Sequence, residues 1–568
     1  GYIGSTISSF VYASFTFILF ALEASIMAYA LQLAFHIPLS IGYFLSALVV
    51  VPIVTHGVTL ISRIQMITQP IWLVLMALPF IYIIHKDPSL ISHLEHFEGK
   101  SPQGASFNFA MFGAAMAVGI ALITQIGEQV DYLRFMPKKT NKNAKAWDLG
   151  VLIAGPGWIF IGILKMLGGA LLAYMAVEAG RSYDFAVNPT NMYLLGFEQV
   201  FGSPKLAIVI TALFVIISQI KINMTNAYAG SLAWSNFFSR LTHSHPGRVV
   251  WVIFNTLIAV MLMEMDVFSA LDEVLGLYSS IAISWITVVF ADLVINKPLG
   301  LSPKGIEFRR AYLFDINPVG VGSMLIASLL AVSTLMGLFG DGLKPFSAII
   351  ALITALICTP LIAFITNGKY YISRKQFKFS RAEKSIECSI CGVQYEPPDM
   401  AYCPAYQGNI CSLCCSLDVR CHDSCRPDGG IRKQWDVFVR RLIPEFICSR
   451  LEGGLGSYIL LMIITVSFLA VLLEMIYFHE KTLILMTNTI VLDHLRSGFL
   501  KAFLVLVFAS ALMMWWIVLT AKSRRVAQEE SNRQSDLLLK EIELHQKTDI
   551  ELQHAISLAD AANQAKSR

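Results

Sequence analysis

Apolar runs long enough to cross a lipid bilayer recur along this chain, and they leave it few folds to choose from. A spanning helix needs about 20 mostly apolar residues. Ten such runs precede residue 370, at 9–34, 39–60, 66–85, 109–132, 150–176, 205–236, 248–265, 268–294, 321–340 and 345–366. Two more follow at 457–478 and 498–521. In hydrocarbon every backbone N–H and C=O must be paired within the chain, so runs of this length are helices. Only 14% of the residues are charged, against about a quarter in a soluble domain. The expected fold class is therefore an all-α polytopic membrane protein, a helical bundle. The net charge of +4 gives no ground for a nucleic-acid partner.

Basic loops give the orientation, because cytoplasmic loops carry the excess of Lys and Arg. Arg134, Lys138, Lys139, Lys142 and Lys145 follow the fourth run, and Arg240 and Arg248 the sixth. Lys297, Lys304, Arg309 and Arg310 follow the eighth, and Lys369, Arg374, Lys375, Lys378 and Arg381 the tenth. Every even-numbered exit is basic. Segments 86–106, 177–204 and 479–497 are then external loops, while 368–455 and the tail after Lys522 are cytoplasmic. Four regions are expected: a transmembrane domain at 1–367, a cytoplasmic linker at 368–455, two helices with a short external loop at 456–521, and a charged helix at 522–568. The chain opens on Gly1 close to an apolar run, with no readable signal peptide, and is expected to be truncated at both ends.

Eight of the ten cysteines crowd into 388–425, whereas Cys358 and Cys448 stand apart. The spacing is Cys388-x2-Cys391-x11-Cys403-x7-Cys411-x2-Cys414-Cys415-x5-Cys421-x3-Cys425, with His422 inside it. Two Cys-x-x-Cys knuckles bring thiolates close enough for one tetrahedral ion. A reducing compartment disfavours structural disulfides. Two zinc sites are expected, with Cys388, Cys391, Cys411 and Cys414 on one ion and Cys403, Cys415, Cys421 and Cys425 on the other. An iron–sulfur cluster is the alternative, and free or redox-active thiols a third. A segment this small has little core, so metal would supply its stability.

Short motifs in the first ten runs carry a resemblance. The first run reads Ile18-Leu19-Phe20-Ala21-Leu22-Glu23, the fourth exits through Asp131-Tyr132-Leu133-Arg134-Phe135, the sixth holds Gln219-Ile220-Lys221-Ile222-Asn223 and Asn226-Ala227-Tyr228, and the eighth exits through Ala291-Asp292. In order and spacing residues 1–366 resemble the nucleobase–cation symporters, the purine, cytosine and hydantoin permeases. The resemblance implies an inverted repeat of five helices, with solute and cation held at mid-membrane beside broken helices. It also implies that the first run is the family's third helix and that two helices are absent. The family's stacking tryptophan falls on Leu19, its amide-reading glutamine on Glu23, and its sodium-binding hydroxyls on Lys221 and Ile222. A base sandwiched between aromatic rings is thus not expected, and the Lys221 ammonium stands in the cation's place.

Charges within membrane runs are costly and usually mark function. Glu23 and Lys221 are both near mid-run. They are expected either to pair or to hold the two ends of a zwitterionic or carboxylate ligand. The expected solute and ion pathway comprises Glu23, Leu19, Lys221, Gln219, Asn223, Asn226, Glu128 and Asp131, the last two near a helix end where an ordinary interfacial role is the stronger reading.

From 522 onward there is no proline or glycine, and Leu538, Ile542, Leu552, Ile556 and Ala559 share one heptad frame, interrupted by polar His545 and Asp549. This is a solvated helix or a parallel homodimeric coiled coil. The closing Ala559-x2-Ala562-x2-Ala565-Lys566-Ser567 resembles the helix that enters the phosphoacceptor domain of bacterial hybrid-type histidine kinases. The resemblance implies a catalytic core beyond Arg568, where ATP would bind and from which a response regulator would be phosphorylated. No residue of this chain is expected to be catalytic. The sequence supports a multi-pass protein of the bacterial inner membrane, the solute-sensing input half of a kinase. A secondary transporter with a regulatory tail, and a metal or redox sensor anchored by the bundle, are the alternatives.

Overall fold

The computed structural model describes residues 1–99, 104, 106–243, 245–268, 271–377, 385–417, 421, 423–431 and 489–566, with scattered residues between 433 and 477. Nine helices among them are long and apolar enough to cross a membrane. The first, α1 (Tyr2–Phe35), ends where His36 turns left-handed at φ 57°. The expected run 39–60 is interrupted. It forms α2 (Leu39–Leu48) and α3 (Val50–Thr55), and then Gly57 takes φ 89°, a turn that suits glycine because it has no Cβ. Next comes α4 (Val58–Lys86), which passes through Pro70 and Pro79, and a short α5 (Leu90–Leu94). Run four holds α6 (Phe109–Ala121), a 3-10 turn and α7 (Gln125–Leu133), which together make one membrane-length helix, Phe109–Leu133. Run five divides into α8 (Ala144–Ala154) and α9 (Trp158–Glu178) at Gly155-Pro156-Gly157, since proline cannot donate to the helix ladder.

Segment 177–204, read from sequence as a loop, instead carries α10 (Tyr183–Ala186) and α11 (Pro189–Phe201). Asn188 caps α11 by accepting from Thr190 N at 3.0 Å, and Pro189 starts its first turn. Leu195 and Phe197 are buried. Thirteen residues of mixed polarity are too few to read as a span, which is why the helix escaped notice.

The remaining bundle comprises α12 (Pro204–Thr242), α13 (Arg248–Glu264), α14 (Leu271–Ala291), α15 (Pro318–Leu335) and α16 (Ser347–Ile365). A π-turn, Asp292–Asn296, ends α14. The core lies along the seam between α1 and α12, filled by Ala13, Phe20, Ala24, Met224, Ala227 and their neighbours. Small residues let two helices approach closely in a membrane. At Gly230 a Cβ would meet Thr16 Oγ1 at 2.5 Å and Asn255 Oδ1 at 2.8 Å.

The cysteine-rich insert belongs to the same compact unit, Gly1–Gln434. Two antiparallel hairpins, β1 (Ile386–Glu387) with β2 (Gln394–Tyr395) and β3 (Met400–Cys403) with β4 (Gly408–Cys411), lead to a short α17 (Ser412–Leu417). Their apolar core includes Ala311 and Tyr312 from the connection between α14 and α15. A buried ionic chain fixes this docking. Arg426, 1% exposed, donates to Leu313 O at 2.8 Å and Asp315 Oδ1 at 2.9 Å, and pairs with Asp423 at 2.9 Å. Arg310 meets the same Asp423 carboxylate at 2.9 Å. Asp315 N donates to Gly429 O, and Arg309 Nη1 to Met400 O, each at 2.8 Å.

The second unit, Trp435–Arg568, contains α18 (Thr489–Lys566), a single helix of 78 residues, about 117 Å long at 1.5 Å per residue. Its apolar stretch Leu495–Thr520 is of membrane-spanning length. Tyr458 packs edge-on against Trp515, and Tyr477 against Phe499, an antiparallel order. The expected span 457–478 otherwise falls largely outside the described residues, as does His422.

Candidate functional site

Gln219, Asn223 and Asn226 recur on α12 at i, i+4 and i+7, and so share one face. All three are buried, Asn223 completely. Among the described residues, Gln219 Oε1, both amide atoms of Asn223, and Asn226 Nδ2 have no hydrogen-bond partner. Such orphan groups are rare and costly away from water. On α1 the partly buried Glu23 lies beside the Gln219 amide, while Leu19 is buried in the core. Thr16 lies opposite Gly230, and Glu23 opposite Gln219, so the helices run antiparallel. This register sets Asn223 and Asn226 at levels between Thr16 and Glu23. The seam thus gathers one carboxylate and three amides at mid-helix depth, with spare acceptors and donors.

Lys221 belongs to another face of α12. Its ammonium donates to Gln65 O at 3.2 Å, Thr68 Oγ1 at 3.2 Å and Gln69 Oε1 at 2.9 Å, all on α4. Gln65 Nε2 returns a bond to Lys221 O at 2.9 Å, and Trp72 Nε1 donates to Ser218 Oγ at 2.8 Å. The expected pairing of Lys221 with Glu23 is therefore not formed, because the three ammonium protons are taken by α4. Gln65-x2-Thr68-Gln69 is a polar stripe at helical spacing inside an apolar run, and that pattern was the available signal for the partner.

Glu128 and Asp131 form a third place, on α7. Glu128 lies beside Thr225 of α12, and Asp131 beside Tyr12 and Arg134. Tyr132 stacks on Tyr228 with ring centroids 6.0 Å apart, and Arg134 donates to the Tyr228 hydroxyl at 3.3 Å. A cavity of about 560 Å³ opens here, lined by Val58, Ser62, Gln65, Tyr132, Phe135 and Thr225 among others. The residues expected to form one pathway therefore occupy three environments on α12 and its neighbours.

A four-cysteine cluster that could hold a metal ion takes shape at the two hairpins. The sulfurs of Cys388, Cys391, Cys411 and Cys414 all lie within 4.8 Å of one another. Tetrahedral zinc with 2.3 Å bonds places its sulfurs about 3.8 Å apart, so a small contraction closes the set. Cys411 N donates to Cys388 Sγ at 3.3 Å, and Cys414 N to Cys411 Sγ at 3.4 Å. Burial alone would raise the Cys388 thiol, but amides of Cys391, Cys411 and Ile390 bring it down to about 7. An all-sulfur tetrahedral set suits zinc or an iron–sulfur centre alike. The second expected set is not assembled to the same spacing among the described residues. Cys415, Cys421 and Cys425 are close enough to feel one another's charge, and Cys403 acts on Cys421 and Cys425. Burial pushes the Cys415 thiol up to about 12.

Residues 3–300 match the family described as permease for cytosine/purines, uracil, thiamine, allantoin. No curated protein and no solved structure matches the chain.

Proposed function

The chain belongs to the family of permeases for cytosine/purines, uracil, thiamine and allantoin through residues 3–300, and on that premise we propose that its bundle binds a small solute at the α1–α12 seam. The observation that carries this reading is Asn223, fully buried with both amide atoms unpartnered among the described residues. A polar side chain kept orphaned in a membrane bundle is held for something that completes it. Glu23, Gln219 and Asn226 supply the other contacts, and Leu19 leaves the site without an aromatic sandwich. Lys221 joins α4 to α12 and stays outside the ligand's reach. Glu128, beside the cavity-lining Thr225, and Asp131, next in sequence to the cavity-lining Tyr132, stand close to the path a solute would follow.

We further propose that solute occupancy is reported to a histidine kinase. Support comes from α18, which carries an apolar stretch without interruption into the Ala-x2-Ala-x2-Ala-Lys run at 559–566. Leu538, Leu552 and Ile556 stand exposed on that helix, a stripe that a second copy would cover in a coiled-coil homodimer. The family match equally supports a transporter whose tail regulates uptake. In either case the membrane would be the bacterial inner membrane, with the insert and tail cytoplasmic. Cys388, Cys391, Cys411 and Cys414 would hold zinc, or an iron–sulfur cluster in its place, as the structural core of the insert. ATP and a response regulator would engage only a kinase core following Arg568.

The test is uptake and kinase output measured side by side on the full-length protein in proteoliposomes, with uracil, cytosine, thiamine and allantoin as probes. Asn223→Ala should abolish both the solute response and any uptake. A response unchanged by that substitution refutes the seam as the site. A gene that encodes no histidine-containing box after Arg568 refutes the kinase reading.

A further inference from the structure

The charge balance of the seam points to the kind of solute it takes, an inference that rests on the seam being the solute site. Lys221 is the only cation on the buried stretch of α12, and its three N–H groups are consumed by Gln65, Thr68 and Gln69. Glu23 makes no ion pair among the described residues. The Lys165 charge reaches it, but that side chain is exposed on α9 and forms no ion pair among the described residues either. Beside that charge, the Gln219 amide is the hydrogen-bonding neighbour of the carboxylate. Around it the orphan atoms Gln219 Oε1 and Asn223 Oδ1 are acceptors, and Asn223 Nδ2 and Asn226 Nδ2 are donors. A carboxylate within a membrane-spanning run is costly unless an opposite charge meets it.

We propose that the seam binds an organic cation with N–H donors, of the amidinium, guanidinium or protonated-amine class, with its positive end on Glu23. The N–H groups of the cation satisfy the Glu23 carboxylate and the Gln219 and Asn223 carbonyl oxygens. Asn223 Nδ2 and Asn226 Nδ2 are left to read acceptors at the other end of the molecule. A helix rise of 1.5 Å per residue separates Gln219 from Asn223 by about 6 Å and from Asn226 by about 10 Å. That is the length of a one- or two-ring molecule.

Three isosteres test the charge alone: benzamidine as the cation, benzamide as the neutral amide and benzoate as the anion. Binding is measured by calorimetry on the full-length protein in nanodiscs, with sodium varied at constant ionic strength so that screening is fixed. Benzamidine should bind at least tenfold tighter than benzamide, and benzoate should not bind. Glu23→Gln should erase that preference, and Lys221→Met should leave it intact. Should Glu23→Gln fail to fold, the order of the three isosteres on the unaltered protein still decides. Benzamide binding as tightly as benzamidine overturns the proposal, as does sodium competing with benzamidine or the absence of binding by all three. Uracil or cytosine bound in an Asn223-dependent way, with no preference for the cation, would overturn the cation class and keep the seam as the solute site.

Discussion

Arg426→Met should release the cysteine-rich insert from the membrane bundle. The Arg426 guanidinium has no exposed side-chain surface and joins Leu313 O, the Asp315 carboxylate and the Asp423 carboxylate, the last through two nitrogens. Removing one partner of a buried pair costs about 3–5 kcal/mol, because the other charge stays buried. Asp423 keeps Arg310, and Asp315 keeps the Ile431 amide at 2.8 Å, so the lower end, about 3 kcal/mol, applies. At 1.4 kcal/mol per tenfold, the docked population falls roughly a hundredfold relative to the undocked one. Hydrogen exchange on the full-length protein reads this directly at three amides: Asp315 N, which donates to Gly429 O, Ile316 N, which donates to Gln434, and Ile431 N. Those amides should exchange about a hundredfold faster, while α15 amides stay protected. Arg426→Lys keeps the charge without the planar fork and should fall between. Because the two groups touch, Asp315→Asn combined with Arg426→Met should cost less than the sum of the single changes. Unchanged exchange in Arg426→Met, or equal acceleration in α15, would refute the clamp.

Lys221→Met removes three hydrogen bonds to α4 and should lower the melting temperature through a loss of about 2–3 kcal/mol; an unaltered melting temperature would show that the ammonium is not the link between α4 and α12. Cys388→Ser, or chelation, should remove the metal of the hairpin set and unfold β1 to β4, read by elemental analysis with circular dichroism; retained metal would move the site elsewhere. Gly230→Ala drives a methyl into Thr16 Oγ1 and Asn255 Oδ1 and should destabilise the α1–α12 seam by about 1–3 kcal/mol, seen as a lower yield of folded protein in detergent. Burial alone would raise the Glu307 carboxyl, but bonds from Arg309 pull it below the usual range. A carboxyl depressed in the folded state contributes stability above its unfolded value, about 4.3, and loses it as pH falls through the folded value. Docking at Arg309 should therefore hold at pH 5–8 and weaken only in stronger acid, and a protection of the Met400 amide, taken relative to its intrinsic exchange rate at each pH, that changes between pH 6 and 7 would contradict this.

What a reader of the sequence could determine was set by lengths, spacings and solvent. A run of apolar residues must be a helix in lipid wherever it packs, so most spans were legible, including α1, α12, α14 and α16. The hairpin set of four cysteines was legible because two Cys-x-x-Cys turns carry their own local geometry. Breaks were less so: Gly57 and the Gly155-Pro156-Gly157 turn interrupt spans whose hydropathy is continuous, and α11 lies in a segment too polar to read as membrane. Partnership belonged to tertiary structure alone. Glu23 and Lys221 are opposite charges near mid-membrane, and sequence invited them to pair. Which residues meet is decided by helix rotation. Lys221 falls two residues from both Gln219 and Asn223, and at about 100° per residue it points away from the seam those residues share. Rotation of α12 against α1 and α4 therefore delivers the ammonium to Gln65, Thr68 and Gln69. It leaves the Glu23 carboxylate facing the amides, because helix packing sums over every contact along the seam and no single pair of charges controls it.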